Sequence, residues 1–75
     1  MEIYANKKGT SGVKGYEIAQ DSITVYFKNS SVYLYNASHP GSATVAEMQK
    51  LARRGEGLND YINQHVKADC FVLKR

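Results

Sequence analysis

The chain has 75 residues, ten Lys plus Arg against seven Asp plus Glu for a formal net charge of +3, and one cysteine. So short a chain has room for one core and excludes a second domain, while a single cysteine excludes an intramolecular disulfide and points to a reducing, cytoplasmic setting. No apolar run approaches the ~20 residues of a membrane span, the opening MEIYANKKGTSG lacks the apolar stretch of a signal peptide, and the mildly basic balance argues for a polyanionic partner and against an acidic nucleic-acid mimic.

Residues 1–12 are expected to form a flexible N-terminal arm, because ANKKGTSG at 5–12 combines two glycines with Lys7, Lys8 and small polar residues. A single domain over 13–75 follows, without internal repeats. Val13 to Gln20 is predicted as a strand turning through Asp21-Ser22. Ile23 to Lys28 alternates strictly and predicts a second strand; Val32 to Tyr35 predicts a third. With Asn29-Ser30 as a two-residue hairpin turn, Phe27 lies opposite Val32, Tyr26 opposite Tyr33, and Val25 opposite Leu34. One face then carries Ile23, Val25, Phe27, Val32 and Leu34, joined by Tyr16 and Ile18. The other carries Thr24, Tyr26, Lys28, Tyr33 and Tyr35, beside Glu17 and Ala19.

The spacing changes after Pro40-Gly41. Thr44 with Glu47 three residues on is a capping-box signature, Val45, Met48, Leu51 and Ala52 form an apolar stripe, and Arg53-Arg54-Gly55 suits a helix end. A second short helix is predicted between Gly57 and Val66, with Leu58, Tyr61, Ile62 and His65 on one side. The tail DCFVLKR is a candidate closing strand. The expected fold is small α+β: a three-stranded antiparallel β-meander, with the tail as an optional extra strand, packed against two short helices over the aliphatic face.

Three tyrosines beside a lysine on one sheet face are the arrangement with which several RNA-binding modules stack unpaired bases; aromatic residues are equally common as cross-strand packing partners. Lys50, Arg53 and Arg54, with Lys7 and Lys8 if the loop folds toward them, have the chemistry for phosphate contacts, although cations in a last helical turn also answer the macrodipole. The glycines of RRGEGLN have the form of an anion-binding loop or of a C-cap and turn; Glu56 opposes an anion there. Catalysis has little support, since Cys70 and His65 fall in different predicted elements with no third orienting group. Cys70 reads as a small buried hydrophobe and His65 as a core-edge residue. His39, His65 and Cys70 lack the close paired spacing of zinc ligands, and there is neither a Walker-type lysine motif nor GxGxxG, so no metal or cofactor is expected.

GYE at 15–17, ITVYF at 23–27, VYLY at 32–35 and GEGLNDYI at 55–62 together resemble the KTSC domain, a small family found at the C-terminus of some lysyl-tRNA synthetases and as stand-alone bacterial and phage proteins. The likeness covers about residues 11–66, and its most specific part is the central YxY, Tyr33 and Tyr35. Ser11 matches the serine that commonly opens the domain, and Gly55, Asn59 and Ile62 match its later segment. Arg53 and Gly57 stand where the family usually has a serine and an aromatic residue. The resemblance implies an RNA-binding role by association with a tRNA synthetase.

The functional expectation is a non-enzymatic binding module contacting single-stranded or structured RNA through Tyr26, Tyr33 and Tyr35, with Lys28, Arg53 and Arg54 supplying charge. The alternative is a protein-interaction module using the same tyrosine face, including self-association as a homo-oligomer or a phage inhibitor of a host factor.

Overall fold

The computed structural model describes residues 1–7, 9, 11–66 and 70–74. Five strands, β1 (Glu2–Ile3), β2 (Val13–Ala19), β3 (Ser22–Phe27), β4 (Val32–Asn36) and β5 (Phe71–Lys74), form one sheet in the order β1-β2-β3-β4-β5, with every neighbouring pair antiparallel. Between β4 and β5 run α1 (Ser42–Arg54) and α2 (Leu58–Tyr61), which continues as a π-helical segment over Ile62–Val66. The protein is thus a small α+β fold whose meander has two strands beyond the expected three. The extra strand in the tail is present as β5, although Asp69 and Arg75 lie outside the described residues. No described helix is long and apolar enough to cross a membrane.

The first four residues depart from the expected flexible arm. Glu2 and Ile3 pair with Tyr16 and Gly15, and Tyr4 is buried in the core, where its hydroxyl accepts the Leu58 N–H at 3.2 Å. Gly15 makes this pairing possible. A Cβ there would come within 2.6 Å of the Glu2 carbonyl oxygen and 2.7 Å of the Met1 sulfur, so only glycine lets the amino-terminal strand lie this close. In the loop behind it, Asn6 Oδ1 accepts the Ser11 N–H, and the Lys7 N–H donates to the Gly55 carbonyl at 2.8 Å, bringing Lys7 to the end of α1. Lys8 lies outside the described residues.

Helix α1 buries Val45, Met48, Leu51 and Ala52, the predicted stripe, and ends at Gly55, whose φ of 81° lets its N–H reach the carbonyls of Leu51 and Ala52. Its start differs from expectation. The helix opens at Ser42 after Gly41, with no side-chain cap, so Thr44 and Glu47 lie inside it and form no capping box. The turn that begins at Asn36 fixes this entry: Asn36 Oδ1 accepts the N–H groups of Ser38 and His39, and its carbonyl accepts from Gly41. From α1, Gln49 Nε2 donates to the carbonyls of Ala19 and Ser22, tying the helix to the β2–β3 turn, which is Gln20-Asp21 rather than Asp21-Ser22. After α2, Leu58, Ile62 and Val66 recur at four-residue steps and are buried, and the wider π-helical turn leaves His65 exposed against the Tyr61 ring at 4.8 Å.

The β3–β4 hairpin carries the largest correction. Lys28, Asn29 and Ser30 form a three-residue loop closed by Phe27 N–H to Ser31 carbonyl at 2.9 Å, with Ser30 at φ 76° and Asn29 Oδ1 accepting the Ser31 N–H. One residue more in the loop shifts the register by one. Ile23 faces Tyr35, Val25 faces Tyr33, Thr24 faces Leu34 and Tyr26 faces Val32. Every side chain of β4 therefore points to the face opposite the expected one. Core packing agrees: Ile23, Val25 and Tyr35 are fully buried with Met48 and Leu58, while Tyr16, Ile18, Phe27 and Tyr33 pack at their edge.

Candidate functional site

The shared tyrosine face does not exist. Tyr26 lies on the face away from the helices, where its hydroxyl donates to the Glu17 carboxylate; that bond, more than burial, raises its pKa. Tyr33 and Tyr35 lie on the helix side. Tyr35 has no solvent exposure, and its hydroxyl makes no regular hydrogen bond; burial first, then the adjacent Cys70 thiol, pushes its pKa well up. Tyr33 is half-buried with its ring 5.3 Å from Phe27. Cys70 is half-buried rather than sealed in the core, and its neighbour is this tyrosine.

The expected cations also divide. Lys28 is exposed in the hairpin loop, whereas Arg53 and Arg54 are exposed in the last turn of α1, Arg53 lining a recess with Met1, Tyr16 and Glu17. Arg54 is partly occupied by Glu56 at 3.5 Å. Lys7 does approach this end of α1 through its backbone bond to Gly55, which gathers Lys7, Arg53 and Arg54 there. Among the described residues no group of three or more His, Cys, Asp or Glu side chains is placed to hold a metal ion.

The register creates a different surface. Gly15 pairs with Ile3 and Tyr26, Tyr26 with Val32, and Leu34 with Phe71, so these residues share the face that neither helix covers. Met1 lies over Gly15 on the same face. The result is an apolar band of Ile3, Met1, Tyr26, Val32, Leu34 and Phe71 crossing all five strands, in which Ile3, Met1 and Phe71 are 70%, 53% and 40% exposed. At one end His39 sets its ring edge-on to Phe71 at 5.0 Å. Val32 and Leu34 were expected in the core, and Phe71 stood only in a candidate tail strand. The signal that could have found this surface is the alternation of β4 itself, where Val32 and Leu34 are as apolar a set as Tyr33 and Tyr35.

Comparison with known proteins finds no matching family model, no matching curated protein and no matching solved structure. The likeness to the KTSC domain therefore rests on the quoted residues.

Proposed function

We propose that the protein is a non-enzymatic interaction module whose uncovered sheet face docks another polypeptide, a second copy of the chain being the simplest occupant. The observation that carries this reading is the apolar band from Ile3 to Phe71 on the face opposite the helices. Contiguous exposed apolar surface on a small protein marks an interface more often than a plain surface. The face suits protein better than nucleic acid, because it is mainly apolar and the Tyr26 hydroxyl is held by Glu17, with Lys14 as the cation that lines its edge beside Met1, Tyr26 and Val32. The exposed row Phe71, Val72 and Leu73 lies on edge strand β5, which ends at Lys74.

The test is light scattering and salt-resistant pull-down with wild type and Leu34→Lys. Association that survives high salt and is lost in the lysine variant supports the reading, since apolar contacts are not screened. A wild-type chain that stays monomeric at high concentration, and captures the same proteins as Leu34→Lys, overturns it.

A further inference from the structure

On the helix side an open groove runs between the β3–β4 hairpin and the helical segment after Gly57, sharing no residue with the apolar band. Its floor is Phe27 and Tyr33, with ring planes inclined at 60°; Ile62 and the amides of Asn59 and Asn63 form its wall. Asn59 and Asn63 are four residues apart, the spacing that sets two side chains on one side of a helix. Among the described residues neither amide has a hydrogen-bond partner. Tyr35 lies beneath this groove with no solvent exposure.

The ligand chemistry follows from these groups. Half-exposed aromatic rings offer a flat partner a stacking surface, and each free amide offers one acceptor and two donors in a plane. A nucleobase is flat and carries donors and acceptors along its edge, and single-stranded bases are held by this combination of stacking and edge contacts. Among the described residues no carboxylate lines the groove, and exposed Lys28 follows Phe27 in the hairpin loop. Gly55, where Lys7 and the α1 arginines gather, is four residues before Asn59, hence within about 14 Å by chain reach. A proline-rich peptide would use the rings and present carbonyls to the amides, but it has no phosphate for Lys28, so its binding would not weaken with salt.

We propose that this groove holds one unpaired base of a single-stranded nucleic acid, with the base stacked on Tyr33 and flanked by the inclined ring of Phe27, its edge on Asn59 and Asn63, and its phosphate toward Lys28. The site is independent of the uncovered face, so either proposal can fail alone. The experiment is an NMR titration of isotope-labelled protein with short oligo(A) and oligo(U), at low and moderate salt, with a proline-rich peptide as the competing probe. The expected result is movement of the Asn59 and Asn63 side-chain amides and of residues 27–33, weakening with salt. Asn63→Ala, an exposed position, should keep the fold and weaken binding about fivefold, and Tyr33→Leu should weaken it about tenfold or more. If Tyr33→Leu does not fold, Asn63→Ala decides. No shifts at low salt, shifts confined to the uncovered face, unchanged affinity in Asn63→Ala, or a response to the peptide alone would each overturn the proposal.

Discussion

The two faces of the sheet are built from similar residues and end in opposite states. The helix side takes Ile23, Val25 and Tyr35 to full burial beneath Met48 and Leu58, while the far side leaves Val32, Leu34 and Phe71 without a layer above them. Hydrophobicity alone does not separate them. What separates them is connectivity: the whole excursion from β4 to β5, residues 37–70, carries both helices to one side. The docking proposed above would supply the missing layer over that open face.

Substitutions can sharpen this contrast. The largest expected effect is on the closed side, where Met48→Ala should cost about 2–5 kcal/mol, read by chemical denaturation, because a fully buried side chain leaves a cavity. Gly15→Ala should cost about 1–3 kcal/mol by forcing β1 away from β2, with hydrogen exchange rising first at Ile3; unchanged protection there would contradict the close approach of Glu2. Tyr35→Phe removes a buried hydroxyl lacking a regular hydrogen bond and should be neutral or stabilising by up to about 1 kcal/mol.

The same tyrosine sets a pH dependence. Its folded-state pKa lies above the unfolded value near 10, so its contribution is intact below pH 10 and is lost as pH rises toward the higher folded-state value. Alkaline denaturation should therefore begin above pH 10 and be flatter in Tyr35→Phe. Tyrosinate absorbance that reaches its full amplitude before the fold is lost would contradict this. On the open side, Leu34→Lys should change stability by no more than about 1 kcal/mol while abolishing any salt-resistant association, so a large loss of stability would mean the face is not open.

Much of this architecture was legible in the sequence. The strands β2, β3 and β4, the stripe Val45, Met48, Leu51 and Ala52, and the Gly55 cap all follow from periodicity and terminal residues. The face assignment of β4 was not, because its pattern is apolar on both sides and alternation cannot choose between Val32/Leu34 and Tyr33/Tyr35. The choice fell to one loop residue. Asn29-Ser30 contains no glycine, and a tight two-residue turn of type I′ needs positive φ at both central residues, whereas the three-residue loop needs it at Ser30 alone, which was the available hint toward a longer loop. Strand β1 escaped because two residues carry no period, and its anchor, Gly15, reads in sequence as a weak point in β2. The amide pair Asn59/Asn63 stood within a predicted helix, but its meeting with Phe27 and Tyr33 required the three-dimensional register.

The strand order has a kinetic corollary. Pairings β1 to β4 join sequence neighbours, whereas β5 must wait for the intervening helices to close a much longer loop. In refolding, β5 should be the last strand to gain protected amides. In the native ensemble it should be the first to lose them, peeling from β4 and lengthening the open edge at Tyr33 and Leu34 for as long as it is away.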